Sequence, residues 1–157
     1  MSRRLPRVLF LCTGNSCRSQ MAEGWARALH ADRFAAASAG IETHGLNPRA
    51  VRAMAEAGVD ISHHASKTAA DLGPEPFNLV VTVCGHAHET CPVLPGAPRT
   101  LHRGFDDPPR LAVGAVDEEA AMAPYRRVRD EIRAFVASLP DLLDRFDSNR
   151  LEEGDRP

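Results

Sequence analysis

The sequence predicts an α/β fold: a single domain on an open parallel sheet of about four strands, with helices on both faces. Three observations lead there. Short, nearly continuous apolar runs, such as Val8 to Leu11 and Leu79 to Val83, are the mark of strands buried on both faces. Stretches in which apolar residues recur at helical spacing alternate with those runs. The length of 157 residues, with 43% hydrophobic content, suits one core, and no repeat or linker divides it. Residues 5–145 therefore read as one domain and residues 146–157 as a flexible acidic tail.

Taken in order, Arg7 to Leu11 reads as the first strand and runs directly into Cys12-Thr13-Gly14-Asn15-Ser16. A helix follows from about Cys17 to His30, where Met21, Ala22, Trp25, Ala28 and Leu29 share an apolar face. Phe34 to Ala39 reads as a second, alanine-rich strand. Asn47-Pro48 starts the next helix, with Asn as cap and Pro in the first turn; it runs to about Ala57, and Gly58 stops it. Phe77 to Val83 is the clearest strand, and a weaker one is expected over Thr100 to His102. From Glu118 to Ser138, Met122, Tyr125, Val128, Ile132 and Val136 fall on one helical face. Pro140 is expected to break or kink that helix, with Leu142 and Leu143 extending it briefly.

Charge and cysteine usage exclude several classes. A net charge of −2 and a pI near 6.4 argue against bulk binding to nucleic acid or to an acidic membrane. No apolar run approaches the roughly 18 residues a membrane helix needs. The apolar stretch after Arg3, Arg4 and Arg7 is too short for a signal-peptide core, so the expected location is the cytoplasm. In that setting Cys12, Cys17, Cys84 and Cys91 are expected as reduced thiols, better read as chemistry than as staples. Nothing in the sequence demands more than a monomer.

The segment Cys12 to Ser19 sits where open α/β sheets bind ligands, beyond the carboxyl end of a strand and at a helix N-terminus. Gly14 and Asn15 tolerate unusual backbone angles, so Thr13, Gly14, Asn15, Ser16 and Cys17 can curl with their N–H groups inward. Those donors and the helix dipole make a socket for an oxyanion, and Arg18 adds a planar fork for two of its oxygens. The same field favours Cys12 as a thiolate, the nucleophilic form, and Ser19 can donate a hydrogen bond to it. The bland alternative, a buried cysteine beside a surface arginine, leaves the strand–loop–helix context unexplained. Cys17 itself reads as a small packing residue.

A thiolate attacking a tetrahedral oxyanion needs an acid for the departing oxygen, and Asp107 in Gly104-Phe105-Asp106-Asp107-Pro108 is the candidate. Pro108 restricts it to extended angles and so aims the carboxyl; an ordinary Asp-Pro turn is the competing reading. Cys84 ends a buried strand on the same sheet edge as Cys12, and Cys91 follows seven residues later. On a helix the two would stand about 10 Å apart, more than the roughly 4.4–6.8 Å a disulfide spans. Gly85 and Pro92 make the segment easy to unwind, which suits a redox-coupled switch. His86 and His88 raise a metal site as the other possibility, but two flanking cysteines around His-x-His give poor tetrahedral spacing. His63 and His64 read as surface residues without a role.

From Cys12 onward the chain resembles arsenate reductases of the thioredoxin-coupled type, built on the low-molecular-weight tyrosine phosphatase fold. The resemblance rests on Leu9 to Trp25, Ser38 to Met54, Leu79 to Pro92 and Gly104 to Pro108, continues over Tyr125 to Phe135, and spans about residues 5–140. The order and separations of Cys12, Cys84, Cys91 and Asp107 make it specific. It implies that Cys12 attacks arsenate while Asp107 protonates the leaving oxygen. Cys84 then attacks Cys12 as arsenite departs, and Cys91 attacks Cys84 to leave a disulfide that thioredoxin reduces. No bound cofactor is implied; phosphate and sulfate are the competing oxyanions.

Some members of that family hold potassium near the loop with residues matching Asn15, Glu23 and Ser38 and with a Thr and an Asp. Here those last two positions are Ala65 and Lys67, so no metal site is expected and the lysine ammonium stands in for the cation. The resemblance leaves a binding-only phosphate or arsenic sensor as a lesser rival, which would need no acid such as Asp107, and as the main one a tyrosine or small-molecule phosphatase using the same loop and acid. Such phosphatases usually carry aromatic residues after the Asp-Pro, where this chain has Pro109-Arg110-Leu111, and they have no use for Cys84 and Cys91.

Overall fold

A computed structural model of the chain describes residues 5–84 and 99–154, with side chains through 145. Four strands, β1 (Arg7–Cys12), β2 (Ala35–Gly40), β3 (Leu79–Cys84) and β4 (Thr100–Phe105), form one sheet in the order β2-β1-β3-β4, every pairing parallel. The two apolar runs occupy the middle: Leu79–Cys84 is buried throughout, and β1 is buried from Val8 on. The alanine-rich β2 and the polar β4 take the edges, where fewer side chains must be apolar.

Alternation divides the central strands between two clusters. Val8, Phe10 and Cys12 of β1 and Val81 and Val83 of β3 pack against helices α1 (Arg18–His30), α2 (Pro48–Glu56) and α4 (Glu118–Gly154). Leu9, Leu11 and Val80 face the other way, toward Ala39, Phe77 and the short 3-10 helix Ala69–Leu72. Helix α3 (Pro108–Leu111) is a single turn after β4. Asn47 caps α2 as expected, accepting from the N–H groups of Arg49 and Ala50, a bond pattern worth about 1 kcal/mol.

Two helical expectations need correction. Met21, Ala22 and Trp25 are buried, but Ala28 and Leu29 are exposed and Ala26 takes an inward place. The last turn of α1 meets α4 through His30 instead of through that apolar pair. Pro140 does not end α4, which runs unbroken to Gly154 and so carries helical backbone through most of the stretch expected as tail. Proline cannot donate to the carbonyl four residues back, a loss of about 3 kcal/mol in an unsupported helix. Here the orphaned carbonyl of Val136 lies 3.0 Å from His30 Nε2, and the imidazole N–H donates in place of the missing amide.

Surface ion pairs clamp α2 to α4. Arg126 reaches Glu56 at 2.8 Å and Glu119 at 2.8 Å, and Arg49 reaches Glu118 at 3.2 Å. Hydrogen bonds from these arginines hold the three carboxyls below the ordinary glutamate range. A depressed carboxylate contributes stability above its unfolded-state value and loses it as pH falls. Arg126→Gln should lower Tm by roughly 1–4 °C at pH 7. Thermal melts should show the gap to wild type closing as pH falls below about 4.5, and shrinking again in 1 M salt.

Candidate active site

The loop between β1 and α1 is shaped from outside. The N–H groups of Ile41 and Glu42 donate to the Thr13 carbonyl at 3.0 and 3.1 Å, that of His44 to Gly14 at 3.0 Å, and that of Asn47 to Ser16 at 3.0 Å. Ser66 Oγ also donates to the Gly14 carbonyl at 2.9 Å. In a trans peptide the N–H points opposite to the carbonyl, so carbonyls drawn outward turn the adjoining N–H groups toward the loop's interior. Asn15 completes the curl at φ 47°, the left-handed region expected of it. Gly40 allows the close approach: a Cβ there would lie 2.6 Å from the Thr13 and Glu42 carbonyl oxygens.

The loop opens on a cavity of about 590 Å³ lined by Cys12, Thr13, Gly14, Ser16, Cys17 and Arg18, with Glu42, His44 and Asp107 among the surrounding residues. Cys12 is buried, and its Sγ lies 2.9 Å from Ser19 Oγ, the contact expected of that serine. Arg18 is buried too; one guanidinium nitrogen donates to the Phe105 carbonyl at 3.0 Å, and another stands 3.6 Å from Asp107 Oδ1. Asp107 has the extended backbone that Pro108 requires, φ −89° and ψ 105°. Thiol, guanidinium and carboxyl thus share one cavity, the three kinds of group that thiolate attack on a tetrahedral oxyanion calls for. Cys17 stands at the N-cap position of α1, its buried thiol making no capping hydrogen bond, and desolvation pushes its pKa far above the ordinary thiol value.

The pairing of β3 with β4 is irregular just before Cys84. Thr82 pairs with His102 but Cys84 pairs with Phe105, so Arg103 and Gly104 oppose Val83 alone, a β-bulge of the kind found beside active sites. Beyond it Cys84 and Phe105 both belong to the core that holds Cys12, and Cys84 Sγ is 4.0 Å from Thr13 Oγ1. Cys91, His86 and His88 lie outside the described residues.

A layer of buried polar groups backs the loop, and the sequence reading found only part of it. Glu23 is 2% exposed; it accepts from Ser38 Oγ at 2.9 Å, with Arg27, His64 and Lys67 nitrogens at 3.4, 3.3 and 3.6 Å. His64, expected at the surface, has a side chain only 4% exposed, whereas His63 is exposed as expected. Burial holds the His64 imidazole below the ordinary histidine pKa, against the opposing pull of Glu23. Adjacent histidines carry no periodic signal, which is why His64 was missed; a Glu and a Gln on the apolar-lined α1 were the available hint.

A cysteine at the end of the first strand, an oxyanion loop and a following helix define the class: single-sheet α/β proteins organised around a strand–loop–helix anion socket. The chain belongs to the low molecular weight phosphotyrosine protein phosphatase family, whose model matches residues 7–148. Within it, an arsenate reductase of Halalkalibacterium halodurans is 52% identical over 125 residues, covering 80% of this chain and 88% of that protein. An arsenate reductase of Bacillus subtilis matches at 52% with the same coverage. Among solved structures, an arsenate reductase in its phosphate-binding state superposes with a TM-score of 0.71 at 29% identity, over 87% of this chain and 98% of that one. A thioredoxin-dependent arsenate reductase of Corynebacterium glutamicum shares the fold, with a TM-score of 0.61 at 21% identity, over 97% of this chain and 65% of that one.

The contrast between the two loop thiols is testable. Iodoacetamide at pH 8 should modify Cys12 while Cys17 stays unreacted, as read by peptide mass mapping.

Proposed function

We propose that this chain reduces arsenate to arsenite with three thiols. Cys12 thiolate bonds to arsenic as Asp107 protonates the departing oxygen, which leaves as water. Cys84 thiolate then attacks Cys12 sulfur; the S–As bond breaks, its electron pair stays on arsenic, and arsenite leaves a Cys12–Cys84 disulfide. Cys91 attacks Cys84 and frees Cys12, and the Cys84–Cys91 disulfide is reduced by thioredoxin. Arg18 and the loop N–H groups hold the oxyanion through the first step.

One observation carries this over hydrolysis. A phosphatase needs a single thiol, yet a second one, Cys84 Sγ, lies 4.0 Å from Thr13 Oγ1 beside the loop that begins with Cys12. The names of the relatives at 52% identity agree with that reading. The test is arsenate-dependent NADPH oxidation with thioredoxin and thioredoxin reductase, run beside Cys84→Ser and Cys91→Ser. Multiple turnover in wild type, lost at least 100-fold in both variants, is the expected result. A silent wild type that hydrolyses p-nitrophenyl phosphate briskly would return the chain to the phosphatases. Cys91→Ser should complete one round and stall with Cys12 and Cys84 joined, visible by mass spectrometry.

The residues behind the loop do not fit a potassium ion. Ala65 offers only its backbone carbonyl, which accepts from Gln20 Nε2 at 3.0 Å and from Lys67 Nζ at 3.2 Å. The Lys67 ammonium stands 3.6 Å from Glu23 Oε1, supplying the positive charge from within the chain. Turnover should therefore be the same within about twofold in potassium and sodium buffers of equal ionic strength; clear stimulation by potassium alone would contradict this.

A further inference from the structure

Two consecutive carboxylates follow β4, and they have opposite partners. Asp107 Oδ1 stands 3.6 Å from Arg18 Nη2 at the anion cavity. Asp106 Oδ2 accepts from Arg127 Nη2, on α4, at 2.8 Å. Arg18 is bonded to the backbone of the same segment, because its Nη1 donates to the carbonyl of Phe105, the residue before Asp106, at 3.0 Å. Arg127 is braced in turn by Glu131 one helical turn further on, with its Nη1 at 2.7 and 3.0 Å from the two carboxylate oxygens. The two arginines thus divide the acidic pair between them.

As a brace between β4 and α4, the Arg127–Asp106 pair is weak, since both side chains are about half exposed. Its place in the chain gives it another use. The residue before Asp107 carries a full negative charge next to a cavity suited to an oxyanion. A carboxylate left uncompensated there repels the anion and competes with it for the Arg18 guanidinium. The other carboxylates at the cavity are answered in the same way, Glu42 by His44 Nε2 at 2.9 Å and Asp107 by Arg18. We infer that Arg127 is a positioning residue for the anion site: it keeps the Asp106 carboxylate on α4 and leaves Arg18 to Asp107 and the bound oxyanion.

The inference rests on the cavity at Cys12 being the oxyanion site proposed above, and its test uses inorganic phosphate, which requires no redox chemistry. Phosphate affinity of the full chain is read from protection of Cys12 against iodoacetamide, with Tm recorded beside it. Arg127→Gln should weaken phosphate about threefold to tenfold, the scale of one unit charge several ångströms away in a partly screened setting. Asp106→Asn should bind at least as tightly as wild type, and Arg127→Gln combined with Asp106→Asn should return to within about twofold of it. Arg127→Lys, which keeps the charge, should also stay within about twofold. Arsenate KM should follow phosphate affinity across the set while kcat holds within about twofold. A mere tether between β4 and α4 gives a different pattern: Asp106→Asn then costs as much as Arg127→Gln, and the double variant recovers nothing. That pattern, or wild-type affinity in Arg127→Gln, would overturn the inference. Phosphate affinities in the expected order, in a protein that fails to reduce arsenate, would instead overturn the reductase reading alone.

Discussion

The loop after β1 keeps its shape because its carbonyls are held from behind. Backbone donors from Ile41, Glu42, His44 and Asn47 each engage a carbonyl of Thr13, Gly14 or Ser16, so the anion socket is built by the segment after β2 as much as by its own residues. That arrangement depends on β1 and β2 running parallel and in register from Arg7 opposite Ala35 to Cys12 opposite Gly40. It also depends on Gly40 lacking a side chain, because the two segments meet at backbone distance there. An array of preset dipoles needs no reorganisation when charge arrives, which is the usual source of strong anion stabilisation at such loops.

The second constraint is the burial of charge behind the socket. Glu23 sits at 2% exposure, a position that is costly for an isolated carboxylate, and the protein answers with three cationic or imidazole neighbours and a serine donor. Lys67 links the two layers. Its backbone N–H fixes Asn15 while its ammonium faces Glu23, so one residue serves both the loop's conformation and its electrostatics.

Much of this was legible before any coordinates. The strands declared themselves by apolar runs, α2 by its Asn-Pro cap, and the oxyanion loop by the residue types that curl a backbone around an anion. Cys12, Arg18, Ser19 and Asp107 lie close together at the end of β1. What escaped was long-range and polar. His30 rescues the Val136 carbonyl, so a proline that reads as a break is tolerated in the middle of α4. His64 and Gln20 join through a contact spanning 44 positions, a separation that periodicity cannot reveal. Cys91 lies outside the described residues, and the role proposed for it rests on the family resemblance.

The end of β3 has a consequence best put as parity. A regular strand sends odd and even residues to opposite sides, so a reader counting from Val81 and Val83 would assign Cys84 to the far side with Val80. Cys84, the last residue of β3, departs from that count and joins the cluster that contains Cys12. Separation along the chain says nothing of this: Cys84 is 72 positions from Cys12, yet both belong to one cluster. The end of a strand can thus place a reactive side chain where alternation along the strand would not.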